Sequence, residues 1–295
     1  MAESSSTGLR HVEHVMGTVF TFDIRDRPTP AIRHALTDAV RLLHRVDAVF
    51  STYRPESHIS RLDRQEIPLE DCPPQVREVM RLCDRAAALS DGWFTLTPAG
   101  RLDPSGLVKG WAVDGASGLL SDAGVRNSCV NGGGDLRIRG RSGGNAPWRV
   151  GIAHPLRPHD LATVITVHHD LAIATSGVAE RGAHILHPLR GTPVSTFASI
   201  TLVGPGLTMT DAFATAAFAR GESALGWLES IPGYDALAIL PDGREVRTTG
   251  FHRYEREARP SGERGATAGA PRAGVGSARR VRPGASTSPA GTPPR

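Results

Sequence analysis

From Asn127 to Gly204 the chain is written largely in runs of strand length, and this constrains the fold more than any other feature. The runs are "SCVNGGGDLRIRG", "WRVGIAHP", "LATVITVHH", "LAIATS" and "ASITLVGP". They are apolar or alternating and are bounded by Gly, Pro, Asn or Asp, the pattern of strands closed by turns. Helical patterns come mostly before them. "TPAIRHALTDAVRLLHRVDAVF" offers Thr29 as an N-cap and Pro30 at the first helical position, with Ile32, Leu36, Val40, Leu43 and Val46 on one stripe. "PPQVREVMRLCDRAAALSDG" is a second helix closing on Gly92, and a third is predicted from about Val108 to Ala123.

Ahead of these, "HVMGTVFTFDI" alternates as a strand. After the strand-rich region come two helices, "TDAFATAAFARG" and "ESALGWLESIPG", then the strands "DALAIL" and "EVRTT" about a "PDG" turn. In the first of these helices Thr210 is the expected cap and Asp211 falls in the first turn. Helices first and strands later predict an α+β fold, with mixed or largely antiparallel sheet and flanking helices. No GxGxxG opens a helix, so a Rossmann-type dinucleotide domain is not expected.

Residues 1–10 and 255–295 read as disordered, leaving 11–254 as the folded domain. The tail is built of Gly, Pro, Ala, Ser, Thr and Arg without apolar periodicity. It holds eight arginines against three glutamates, so it carries +5 of a total of +4 and leaves −1 for the rest. A basic nucleic-acid surface on the folded part is therefore not supported. Three scattered cysteines, Cys72, Cys83 and Cys129, with no CxxC, read as reduced, buried thiols. The N-terminus has no leader pattern and no apolar run has membrane-spanning length, so a soluble cytoplasmic protein is predicted.

Chemistry concentrates in a few stretches. "DPSGLVKGWAVD" (103–114) contains Lys109, the only lysine among 34 Lys plus Arg. A lysine is a slim point charge that pairs with a single oxygen, where a guanidinium prefers a bidentate anion. "VNGGGDLRIRG" (130–140) places Gly132, Gly133 and Gly134 between two strand runs, permitting close backbone approach and positive φ. In "TMTDAFATAAFARG", Asp211 and Thr215 stand four apart, so a helix puts a carboxylate and a hydroxyl on one face. Those hard oxygen donors suit Mg²⁺. His184 and His187 follow a Thr-Ser-Gly turn, and Met16 and Tyr53 offer polarizable or flat faces for a ring. Singly, each of these also fits an ordinary structural role.

Their order along the chain is more specific. MGT, STYRPxSxISRL, DxSGxxKGWAVD, NGGGD, TSG with HIxxP, and TDAxATA in succession resemble the FAD:protein FMN transferases, the ApbE-like flavin transferases, over about residues 13–245. The resemblance implies a Mg²⁺-dependent enzyme that splits FAD at its pyrophosphate, joins FMN to a threonine of an acceptor flavoprotein and releases AMP. It implies Mg²⁺ ligands at Asp211, Thr215 and the Gly106 carbonyl. It places Met16, Tyr53, Lys109, Asp114, Gly132, Gly133, Gly134, Ser176, Gly177 and His184 about FAD. His184 or Asp211 would take the threonine proton, with His184 preferred because a metal-bound carboxylate is a weakened base. Alternatives on the same scaffold are an FAD pyrophosphatase and a non-catalytic FAD carrier. His58, Asp63, Thr95 and His187 depart from the family pattern. Thr267, in "GERGATAG", resembles an acceptor context.

Overall fold

The structure, a computed structural model, describes residues 8–178, 182 and 185–255; His184 and Thr267 lie outside the described residues. In chain order the elements are β1 (Leu9–Val15), β2 (Thr18–Ile24), α1 (Pro30–Phe50), α2 (His58–Asp63), α3 (Pro74–Leu89), α4 (Ser105–Asp122), β3 (Ser128–Gly132), β4 (Asp135–Arg139), β5 (Trp148–Ala153), β6 (Leu161–Val167), β7 (Leu171–Gly177), β8 (Ser199–Gly204), α5 (Leu207–Arg220), α6 (Ala224–Glu229), β9 (Asp235–Ile239) and β10 (Glu245–Arg247). Among the described residues eight strands form one sheet in the order β1-β2-β3-β4-β7-β8-β9-β10, and β5 pairs with β6 separately. Each of these pairings is antiparallel. The fold is α+β and not a doubly wound one.

Two turns define one end of this sheet. Met16 and Gly17 join β1 to β2, with φ of 54° and 69°. Gly133 and Gly134 join β3 to β4, with φ of 59° and 99°. Positive φ at both central residues is the type I′ turn, whose twist matches that of paired strands. Phe20 of β2 sits opposite Gly132 of β3, and Gly133 N–H donates to the Val19 carbonyl at 3.0 Å, so the two turns lie side by side. The segment "HVMGTVFTFDI" is thus a hairpin and not one strand. Its first strand begins at Leu9, inside the N-terminal stretch expected to be disordered.

Alternation divides the strand side chains between two cores. Val130, Ala172 and Ala174 face α1, α3, α4 and α5 in the larger core. Cys129, Leu136, Ile138 and Ile173 face the other way, against Trp148 and Ile165 of the β5–β6 hairpin and Phe251. α1 follows its sequence signals: Thr29 Oγ1 accepts from Ile32 N–H at 3.2 Å, a cap worth about 1 kcal/mol. Ile32, Leu36, Leu43 and Val46 are buried, and Val40 is half-buried.

Two helix starts fall earlier than the pattern predicts. α4 begins at Ser105, so Gly106 lies in its first turn and Lys109 in its second. α5 begins at Leu207 behind Gly206; Thr210 is not its cap, because Thr210 Oγ1 donates back to the Gly206 carbonyl at 2.6 Å. Asp211 is therefore in the second turn. α2 occupies part of "STYRPESHISRLD", where no helix is expected, with Ser57 capping it through Ser60 N–H at 3.0 Å.

Candidate active site

α4 starts at the turn end of the sheet and crosses beneath the β3–β4 hairpin. A Cβ on Gly132 would stand 2.8 Å from Val113 Cγ2 and 2.7 Å from Phe20 Cε1, so only glycine lets strand and helix approach this closely. Farther along, Arg139 Nε donates to Ser117 Oγ at 2.9 Å. α5 lies antiparallel against α4. The contact runs along glycines: a Cβ on Gly110 would meet the Leu207 carbonyl oxygen at 2.6 Å and Asp211 Cβ at 2.9 Å, and one on Gly106 would meet Thr215 Oγ1 at 3.2 Å. Gly106 and Gly110 thus share a helix face opposite Asp211 and Thr215. The Gly110 N–H donates to Asp211 Oδ2 at 3.0 Å.

Lys109 sits on the adjoining face. Its Nζ is 2.5 Å from Asp135 Oδ2 and 3.9 Å from Asp211 Oδ1. Asp135 is only 1% exposed and opens β4 directly after the glycine turn. Its Oδ1 accepts from Thr175 N–H at 2.9 Å, and Thr175 Oγ1 lies 2.9 Å from Thr201 Oγ1. A buried carboxylate is tolerated when it is paired and hydrogen-bonded, as this one is. The cluster therefore links α4, β4, β7 and α5. Asp135 is absent from the residues expected at the site; its place at the end of "NGGGD", where the chain re-enters a strand, is the signal available in the sequence.

The other expected residues distribute as follows. Met16, Gly133 and Gly134 stand at the same sheet end, where a Cβ on Gly133 would lie 2.7 Å from Thr18 Oγ1. Ser176 and Gly177 close β7 at that end too, paired with Ile200 and Ser199. Tyr53 is 94% exposed, in the loop after α1. Asp114 does not reach Lys109: Oδ2 accepts from Thr208 N–H and Oγ1–H, both at 2.8 Å, and Oδ1 faces Arg137 Nε at 3.4 Å. Asp63 accepts from Leu102 N–H at 2.8 Å and Arg101 Nε at 2.6 Å; the backbone donor first, then the guanidinium, holds its carboxyl below the usual range. His187 packs edge-on to Trp93 at 5.0 Å between ring centres.

Among the described residues no group of three His, Cys, Asp or Glu side chains is placed to hold a metal. The oxygen set offered by Asp211, Thr215 and the Gly106 carbonyl is of another kind, one carboxylate supplemented by neutral donors. It fits Mg²⁺, which needs few protein ligands. The bare Cα of Gly106 also leaves its backbone next to Thr215 Oγ1, a space that a side chain would fill. Two adjoining depressions, of about 600 and 270 Å³, share Ser195 and Thr196 and lie past Thr215, at the C-terminal end of α5. No helix among the described residues is long and apolar enough to cross a membrane.

A family model described as the ApbE family matches residues 16–100 and 95–238. The chain is 30% identical over 216 residues to the FAD:protein FMN transferase of Treponema pallidum, covering 64% of this chain and 59% of that one. It is 32% identical over 130 residues to the one from Vibrio cholerae, covering 41% and 39%. The chain thus spans between 39% and 59% of these curated relatives' length. Among solved structures it superimposes on the flavin transferase ApbE from Vibrio cholerae with a TM-score of 0.73 at 23% identity, over 84% of this chain and 99% of that one. The ApbE protein from Thermotoga maritima gives 0.75 at 22% identity, over 85% and 100%.

Proposed function

The chain belongs to the ApbE family, and from that premise we propose that it transfers the FMN moiety of FAD to a threonine of an acceptor flavoprotein, releasing AMP. The observation that carries the proposal is the meeting of Asp211, Thr215, Gly106 and Lys109 at the sheet end that also bears Met16 and the Gly133–Gly134 turn.

Within the described residues this cluster holds two carboxylates and one ammonium, a net charge that repels a diphosphate. Mg²⁺, when bound, supplies the missing positive charge and acts as a Lewis acid on phosphate oxygens. Asp211, Thr215 and the Gly106 carbonyl are the residues that would hold it. Lys109 is largely neutralised by Asp135, so its task is local: it presents one N–H direction toward the Asp211 side of the site. A guanidinium in this slot would spread its donors over a wider plane. Met16, the Gly132–Gly134 turn, Ser176 and Gly177 would form the wall against which the flavin dinucleotide lies, with Tyr53 at the rim.

In the reaction the acceptor hydroxyl oxygen forms a bond to the FMN-side phosphorus. The bond from that phosphorus to the bridging oxygen breaks, and AMP departs with the bridging oxygen. The hydroxyl proton passes to a base, for which His184 stands first and Asp211 second. Such transfer is chiefly positioning and electrostatics, which is what rigid helices and a sheet end provide.

The test is one incubation with FAD, Mg²⁺ and a candidate acceptor protein, followed by mass spectrometry and flavin fluorescence of the denatured protein. An FMN adduct on an acceptor threonine, with AMP in equal amount, is expected. Free FMN with AMP and no adduct makes the protein an FAD pyrophosphatase, and unchanged bound FAD makes it a carrier; either result overturns the transferase assignment.

A further inference from the structure

The family resemblance puts Asp114 at FAD, but the structure turns its side chain to the start of α5. The first N–H groups of a helix lack partners within the helix and need acceptors. α5 begins behind Gly206, which has no side chain to offer, and no side-chain cap is made there. The acceptor comes from the neighbouring helix: Asp114 Oδ2 takes both the N–H and the hydroxyl of Thr208 at 2.8 Å. Negative charge at this position also complements the helix dipole. Arg137, on β4, holds the other side. Its Nε faces Asp114 Oδ1 at 3.4 Å and its Nη1 donates to the Pro205 carbonyl at 2.7 Å, tying the carboxylate to the turn that launches α5.

Asp114 continues the face that carries Gly110 and Gly106. Spaced by four, these three residues meet Thr208, Asp211 and Thr215 in turn along α5. The glycine contacts permit close approach, but a smooth surface resists sliding and rotation poorly. The Asp114–Thr208 contact is directional and charge-assisted. Thr208 and Thr215 are seven residues apart, about 10 Å along a helix and nearly two turns. Fixing the first therefore sets the height and phase of the second, and of Asp211 between them.

We propose that Asp114 is a positioning residue: by capping α5 from α4, it sets the helix so that Asp211 and Thr215 converge on the Gly106 carbonyl, and it does not touch FAD. This rests on the metal assignment proposed above. The test uses the whole protein, with Mn²⁺ titrated by electron paramagnetic resonance, FAD affinity from flavin fluorescence, and hydrogen exchange over residues 207–215. Asp114→Ala is expected to weaken Mn²⁺ about 10-fold or more, the usual loss when the partner that orients a metal ligand is removed. FAD affinity should stay within about 2-fold and exchange at 207–210 should accelerate. Asp114→Asn keeps an acceptor for Thr208 N–H and should recover most of the metal affinity. Should Asp114→Ala fold poorly, Thr208→Val removes only the hydroxyl and should give a smaller loss in the same direction.

Weaker FAD with unchanged Mn²⁺ would make Asp114 an FAD ligand and overturn the proposal, and so would no change in either. Wild-type protein that binds no Mn²⁺ overturns the metal assignment itself. Exchange alone then judges the anchoring, and unchanged rates in Asp114→Ala overturn that too.

Discussion

Gly110→Ala puts a methyl group where α5 already lies. The added Cβ would stand 2.6 Å from the Leu207 carbonyl oxygen, 3.0 Å from its carbon and 2.9 Å from Asp211 Cβ, where ordinary contact begins at 3.4 Å. These atoms belong to the backbone of a packed helix or lie next to it, so no side-chain tip can swing away. α5 must retreat by roughly 1 Å, at a cost of about 1–3 kcal/mol for overpacking. Alanine returns about 1 kcal/mol of helix propensity, so the net loss is about 0–2 kcal/mol and the protein should still fold. The site tolerates the shift less well. The 3.0 Å bond from Gly110 N–H to Asp211 lengthens, and Thr215 moves away from Gly106. An error of about 1 Å in such a constellation costs on the order of 100-fold in rate. Gly118 is the internal control. It lies in the same helix, and its added Cβ would meet nothing within 4 Å. Gly118→Ala should therefore raise the melting temperature by about 2–4 °C and leave the rate alone. The assay is FMN transfer from FAD to an acceptor protein, read beside thermal melting of both variants. A Gly110→Ala protein that melts higher and transfers at the wild-type rate refutes the claim that this seam positions the site.

Lys109→Arg should fold normally, because its slot is partly open to solvent, yet lose FMN transfer by about 10-fold or more, since a planar fork cannot reproduce one short contact to Asp135; wild-type transfer would show that charge alone suffices. Asp135→Asn keeps an acceptor for Thr175 N–H and removes the charge facing Lys109. It should slow transfer in the wild-type background and add nothing in a Lys109→Met background, and additive losses would show that it acts by another route. Burial pushes the Cys83 and Cys129 thiols from 9.0 up to about 12. The native protein should resist thiol reagents near neutral pH, and prompt labelling of either residue would contradict that burial. The sign for stability follows from the raised values: their contribution is complete below about pH 9 and is lost as pH rises toward 12, because the unfolded chain ionises first. Denaturation midpoints should therefore fall between pH 9 and 12, less steeply in a Cys83→Ala, Cys129→Ala protein.

Relations confined to a few residues were legible in the sequence, and those depending on a distant partner were not. The antiparallel arrangement follows from strand run succeeding strand run, and Thr29 with Pro30 marks the start of α1. Asp211 and Thr215 are recognisable as a pair because one helical turn fixes their relation. The Met16–Gly17 hairpin stays hidden because methionine rarely takes positive φ, so "VMGTVF" reads as unbroken alternation. The start of α4 is obscured because Gly106 is a poor helix residue by propensity; its advantage is the close approach of α5, a tertiary effect. Asp114 illustrates the same limit, since nothing local distinguishes a carboxylate facing another helix's first turn from one facing a ligand. Composition singles out Lys109 but does not choose its partners. Asp103 and Asp114 are nearer in sequence, yet its ammonium meets Asp135 at 2.5 Å and Asp211 at 3.9 Å. The choice is made by two packing events: the glycine seam admits α5 to one side of α4, and the Gly133–Gly134 turn delivers β4 to the other. The site is thus assembled by glycines, which bring no side chain of their own yet bring three charged side chains within reach of one another.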